Sequence, residues 1–483
     1  MRWLRDQLQP LLLTVRPAAA AGGDRCGDEG AGGGDCTVVE GGGGVNLAEH
    51  RLRLSPSDWC RSKVKHHLSF FVGGGTPSKD RADYWTQGTI PWVSPKDMKR
   101  RYIDHAEDFI TEEAVSSSTT SLVSPGRVLM VVRSGILRHS LPVAINLVPV
   151  ALNQDMKALG FRGTLDPRFF AFWVSGQAKN LLLEWTQIGA TVDSIDVDAT
   201  LNAWIALPDL ETQKTIADFL DRETARIEQL VFKRIRLAEI VSERQRAIIA
   251  SVVIGGRHDD GTWLPDLPPD WEEKRAKFCL RETQKRSVTG EEELLTVSHI
   301  TGVTKRAEKD VNMFLAETNQ GYKLVSEGDL VINTMWAWMG AMGVSSHYGL
   351  ISPSYGVYRF VSNQLRPAFV DLIARSKPFI AEATRRSKGI HSSRLRLYPD
   401  LFLDMSLPIP PLATQDAILV DLERKFQKEN ELLRKNSQAA DLLREFRSAL
   451  ITAAVTGQID VTAWSRRGST DRRLDQIEEE MST

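Results

Sequence analysis

The stretch Leu207–Gly256 reads LPDLETQKTIADFLDRETARIEQLVFKRIRLAEIVSERQRAIIASVVIGG, and Ile409–Gln458 reads IPPLATQDAILVDLERKFQKENELLRKNSQAADLLREFRSALITAAVTGQ. The two align without a gap. Pro208 pairs with Pro410, Leu210 with Leu412, Thr212 with Thr414, Gln213 with Gln415, Ile216 with Ile418 and Leu220 with Leu422. Near the far end Ala247 meets Ala449, Ile249 meets Ile451 and Gly255 meets Gly457. A gapless match of this length implies internal duplication. Each copy has the marks of one long helix: proline at the start, glycine as a stop and no proline inside. Leu220, Ile227, Val231, Ala238, Val241 and Ile248 in the first copy fall near heptad spacing. Leu422, Phe426, Leu433, Ala440, Leu443 and Leu450 do so in the second, interrupted by polar Glu429 and Asn436. Two ordinary amphipathic helices on separate domains would give a similar pattern. A length of about 40 residues, or about 60 Å, favours mutual packing as a coiled coil.

Outward from these helices the repeat continues more faintly. Pro56-Ser57-Asp58-Trp59 answers Pro268-Pro269-Asp270-Trp271, and Ser124-Pro125-Gly126-Arg127-Val128 answers Ser326-Glu327-Gly328-Asp329-Leu330. Ile188-Gly189-Ala190-Thr191 stands where Lys388-Gly389-Ile390-His391 stands later. The expected order is a glycine-rich extension at 1–50, a globular unit at 51–206 and a long helix at 207–256. A second unit at 257–408, a second helix at 409–460 and a charged tail at 461–483 complete it. The sequence thus predicts an α+β chain: two α/β units separated by two long antiparallel coiled-coil helices, as a pseudo-twofold internal repeat. Between Gly22 and Gly44 nearly every second residue is glycine, without periodicity. Arg2 to Ala20 has a superficial likeness to a secretory signal, but Pro10, Arg16 and Pro17 break its apolar stretch. A disordered extension, or a start assigned too far upstream, is the preferred reading.

Composition narrows the class of function. Sixty-one Lys plus Arg against 62 Asp plus Glu leaves a net charge of −1, so any nucleic-acid contact must come from local patches. No apolar run approaches the ~20 residues of a membrane span. Four cysteines, at 26, 36, 60 and 279, have no CxxC spacing. That pattern excludes a zinc ribbon and a disulfide scaffold, and it fits a reducing cytoplasm.

Several strings carry a family resemblance. Gly74-Gly75-Thr76-Pro77-Ser78-Lys79, Tyr84-Trp85 and Ile90-Pro91-Trp92-Val93-Ser94-Pro95-Lys96-Asp97-Met98 come first. Val131-Val132-Arg133-Ser134-Gly135-Ile136-Leu137 and Leu152-Asn153-Gln154-Asp155 come next. Together they resemble a target recognition domain of the specificity subunits of type I restriction–modification systems. The helical repeats, opening on PxLxxQ, are similar to that family's two spacer helices. Ile332-Asn333-Thr334-Met335-Trp336-Ala337-Trp338-Met339-Gly340 and Gly349 to Tyr355 resemble a second subclass of the same domain. The likeness spans roughly residues 55 to 460. It departs in the glycine-rich head and at Asp209, where a second proline is usual. It implies a non-catalytic adaptor that binds a bipartite, asymmetric site on double-stranded DNA. The adaptor would seat two methyltransferase subunits and two motor-nuclease subunits in the cytoplasm, with no membrane and no cofactor. Half-site spacing would then be set by the helix pair.

Candidate DNA contacts are Thr76, Ser78, Lys79 and Lys96 in a Gly/Pro-rich turn region, where hydroxyls and ammonium groups suit phosphates. Arg133, Ser134, Arg138 and His139 lie beyond an apolar strand and suit base edges or phosphates. Asn333, Thr334, Trp336 and Trp338 are their expected counterparts in the second unit. Arg385, Arg386, Lys388, His391, Arg394 and Arg396 form a basic cluster. Any single one of these is equally an ordinary solvated residue, and the two tryptophans equally pack one face of a strand.

Catalytic motifs are missing. Pro408-Ile409-Pro410-Pro411 lacks the amide and the aromatic of an adenine methyltransferase motif. Gly256 to Gly261 ends in Thr262 where a phosphate-binding loop needs lysine. Asp270 with Glu272-Glu273-Lys274 only caricatures a nuclease site, so no metal site is expected. A cryptic Mg²⁺-dependent nuclease and a solitary DNA-binding or scaffold protein remain the alternatives.

Overall fold

The structure is a computed structural model that describes residues 52, 55–187, 192–253, 263–264, 267–308, 318–389 and 395–461. The glycine-rich head, the charged tail beyond residue 461, Ile188–Thr191, Gly255 and His391 lie outside them. The chain divides into two compact units, one of Met1–Lys233 with Ala439–Thr483 and one of Arg234–Gln438. Each unit therefore owns half of each long helix, Leu210–Val253 and Leu412–Val455.

In the first unit, Cys60–Lys63 pairs antiparallel with Trp204–Leu207, so the segment leading into the long helix is tied to the start of the globular part. A five-stranded sheet orders Leu68–Gly73, Met156–Phe161, Val128–Val131, Val143–Asn146 and Tyr102–Ile103. Val128–Val131 is buried at every position, as expected for a central strand covered on both faces. The helix Pro167–Trp185 covers it, with Asp166 accepting from the N–H groups of Arg168 and Phe169 and with Pro167 in the first turn. Phe169, Phe170, Phe172 and Trp173 join one core with Ile216, Leu220 and Ile227 of the first long helix and Phe446, Leu450 and Ile451 of the second. Arg447 pairs with Glu228 across these helices at 2.7 Å.

The second unit repeats the plan. Glu272–Arg275 pairs with Ser406–Ile409. A four-stranded sheet orders Leu280–Glu282, Gly356–Phe360, Leu330–Ile332 and Met342–Val344. Across its helix halves Asn436, 3% exposed, donates to the Arg234 carbonyl at 2.6 Å, while Arg244 and Gln245 both reach Glu429. Residue numbers rise along one helix as they fall along the other, so the halves run antiparallel. The two polar interruptions of the heptad are thus register pins between the helices, a role documented for single polar residues in coiled coils.

The PxLxxQ motif has a physical cause that the units share. Buried Gln213 accepts from the Asp166 N–H at 2.9 Å and donates to the carbonyls of Thr164 and Pro208. Buried Gln415 accepts from the Arg366 N–H at 2.8 Å and donates to those of Gln364 and Pro410. Each carboxamide satisfies three backbone groups where the globular part meets its helix, groups that would otherwise be costly to bury. Asp209 also finds its reason. It takes the cap position, accepting from the Thr212 N–H at 2.9 Å and the Thr212 hydroxyl at 2.8 Å, so proline is not needed to start this helix.

Candidate nucleic-acid interface

The first unit gathers several candidate residues around Gln154, Asp155 and Asp193. Gly75 donates its N–H to the Leu152 carbonyl at 2.8 Å and accepts from Trp92 Nε1 at 3.0 Å. Side chains at Gly74 and Gly75 would collide with the backbone of Leu152–Asn153 and of Thr119–Thr120. This close crossing explains the double glycine. It sets the Thr76 hydroxyl against the Gln154 side chain. Next along the chain, Asp155 accepts from Arg133 Nε at 2.8 Å, with the Arg133 side chain still more than half exposed. The Ser134 hydroxyl accepts from the Ile136 N–H and its own N–H donates to the Asp193 carbonyl. Asp193 also holds Arg138 at 2.8 Å. Two exposed arginines are therefore oriented, each by one aspartate.

Other candidates lie elsewhere. Ser78 and Lys79 are exposed, and the Ser78 carbonyl accepts from Trp85 Nε1 at 3.0 Å. Lys96 sits between Asp108 at 2.9 Å and Glu107 at 3.1 Å, and the bond to Asp108 holds its ammonium pKa above the usual lysine value. Its charge is already matched, which weakens its case as a phosphate contact. His139 is exposed at the end of the short Gly135–Arg138 turn.

In the second unit the equivalent loop has a different register from the one expected. Ile195 donates to the Val132 carbonyl in the first unit, and Leu397 donates to the Thr334 carbonyl in the second. Likewise Val131 N–H bonds the Pro142 carbonyl, and Asn333 N–H bonds that of Ala341. Arg133 and Ser134 are therefore matched by Met335 and Trp336. Asn333 and Thr334 are buried. Asn333 donates to the Tyr355 hydroxyl at 3.0 Å and Thr334 to the Ser354 carbonyl at 2.8 Å, so both hold the loop from inside. Trp338 is half-buried and donates to the Met335 carbonyl at 3.0 Å. Met335 and Trp336 face out. Sequence reasoning misses Met335 because NTMWAWMG reads as a strand; the signal is Gly340, whose φ of 85° marks a turn.

The basic cluster is only partly available. Arg385 and Arg386 both bond buried Glu382. Burial pushes that carboxyl up, but the two arginine bonds outweigh it and hold the group below the usual glutamate value. Lys388 and Arg396 exchange backbone bonds at 3.0 and 2.8 Å, and neither pairs with a carboxylate among the described residues. His391 and Arg394 fall outside the described residues. Among those described, no group of three or more His, Cys, Asp or Glu side chains is placed to hold a metal, and no helix is long and apolar enough to cross a membrane.

The two units share one plan, and each presents a differently furnished loop. Residues 56–235 match the family profile described as the type I restriction modification DNA specificity domain. A specificity subunit from Escherichia coli, that of the type I restriction enzyme EcoR124I/EcoR124II, is 40% identical over 160 residues, covering 33% of this chain and 40% of that protein. The MjaIX specificity subunit of Methanocaldococcus jannaschii is 28% identical over 34% of this chain and 38% of that protein. The alignments thus span well under half of each relative. A solved chain from a study of assembly and conformational transition in a type I R-M system superposes with a TM-score of 0.56 at 15% identity. It covers 84% of this chain and 99% of that one, and shows the shared fold.

Proposed function

We propose that the chain is the specificity subunit of a type I restriction–modification complex, without catalytic activity of its own. It reads a bipartite, asymmetric site on double-stranded DNA and seats two methyltransferase and two motor-nuclease subunits in the cytoplasm. The observation that carries this reading is the loop equivalence. One backbone position bears Arg133 and Ser134 in one unit and Met335 and Trp336 in the other. Similar plans with different side chains suit two half-sites of different sequence. The family match over the first unit supports the same reading, as do the relatives' names. Ile235 and Ile240 of the first long helix are exposed and offer apolar surface for a partner subunit. The test is to combine the chain with an adenine methyltransferase subunit of such a system and map modified adenines on genomic DNA. Two unlike half-sites at a fixed spacing are expected. A palindromic or single continuous motif, or cleavage by the pure chain with Mg²⁺, would overturn the proposal.

A further inference from the structure

The exposed pair Met335 and Trp336, at 41% and 51% of their surface, is apolar where the first unit is charged. Two adjacent, large, exposed apolar side chains at a loop tip are a candidate contact surface. The loop beneath them is rigid. The Trp336 N–H bonds the Asn333 carbonyl at 3.0 Å, its carbonyl accepts from Ala341, and the Met335 N–H bonds Asn333 Oδ1 at 3.3 Å. Below, Ala337 is fully buried and the Thr384 hydroxyl bonds the Trp338 carbonyl. The tip therefore loses little conformational entropy when it meets a ligand. Two cationic residues lie on the chain segment bonded to this loop. Thr334 is bonded to Leu397, and the neighbouring Arg396 lies opposite Lys388 and over the half-exposed Tyr398 ring at 6.0 Å.

An apolar tip on a hydrogen-bonded loop, with cations on the adjoining segment, suits stacked bases flanked by phosphates. We propose that Met335 and Trp336 form a wedge that the second unit inserts at one base step of its half-site, while Lys388 and Arg396 hold the adjoining phosphates. This rests on the DNA-reading function proposed above and adds how the second unit reads. Insertion unstacks bases, and pyrimidine–purine steps unstack most readily. The second half-site should accordingly contain such a step, selected by its deformability. The first half-site should be read through the arginines, by hydrogen bonds.

The test selects duplexes from a randomised pool with the full-length chain, its Trp336→Ala variant and its Trp336→Phe variant. The wild-type pool should show a pyrimidine–purine step at one fixed position of one half-site. The Ala variant should lose that preference alone, bind the wild-type winner roughly ten- to a hundredfold more weakly, and keep the other half-site. The Phe variant should retain the step. A wild-type pool without the step, or an unchanged pool from Trp336→Ala, would overturn the wedge while leaving DNA reading intact. A pool with no enriched sequence from any of the three would overturn both. Unchanged DNA selection with lost binding of the methyltransferase subunit would make the tip a protein contact instead.

Discussion

Pro56 lies against Gly457. A β-carbon built on that glycine would stand 2.5 Å from Pro56 Cδ and 2.9 Å from the Trp59 ring. Gly457 has φ of 71° and closes the second long helix. Its N–H bonds the Ala454 carbonyl and the Gln458 N–H bonds that of Ala453, the paired bonds of a Schellman stop. The opening PSDW turn and the last helix end are thus fitted to one another inside the first unit.

Gly457→Ala should therefore destabilise the first unit by about 2 kcal/mol, through left-handed strain and overlap together. Thermal unfolding checks this. Gly135→Ala, where no atom stands within 4 Å of the added carbon, is the control and should shift the midpoint little.

Gln415→Ala should cost about 2–4 kcal/mol, because three backbone groups lose their partner at a buried junction. Gln213→Ala should do the same in the other unit. Hydrogen exchange should report faster opening only at Arg366 and its surroundings in the first variant, and only at Asp166 and its surroundings in the second. Equal protection in either variant would show that water replaces the carboxamide without penalty.

Asp209→Ala should cost about 1 kcal/mol by uncapping the first long helix, and Asp209→Ser should restore most of it. Denaturant unfolding of both variants measures the difference.

Glu382 gives the second unit an acid-sensitive contact. Its folded pKa lies below the ordinary value of 4.5, so its contribution is complete above that value and is lost as pH falls through the folded pKa. Unfolding midpoints should drop below about pH 4.5 in the wild type. Glu382→Gln should begin lower at pH 7 and show a shallower acid slope.

Four residues inserted near Glu239 should lengthen the first helix by about 6 Å and rotate the chain beyond the insertion by about 40°. At ~3.4 Å per base pair, the preferred half-site spacing should grow by roughly one to two pairs, with the bases in each half-site unchanged. Methylation across duplexes that differ only in spacer length decides it. An unchanged optimum would remove the helices as the spacing element.

Much of this protein was legible because its signals are contiguous. Helix starts, heptads, the stop at Gly457 and the duplicated PxLxxQ all lie within one local window, where periodicity and capping act. The sequence therefore determined the two long helices, Leu210–Val253 and Leu412–Val455, and the repeated glutamine at the start of each. What it could not determine depended on partners far along the chain. Asn333 and Thr334 looked available, yet Tyr355 and Ser354 claim them. Arg385 and Arg386 looked like free charge, yet Glu382 lies beneath them. Arg101, in the charged run KDMKRR, turns inward over the Phe172 ring at 3.8 Å, where burial and then Arg447 lower its pKa to about 10. Only tertiary packing chose which side chains of a polar or aromatic run face solvent, because that choice depends on the neighbours folding brings, and composition and spacing do not record them.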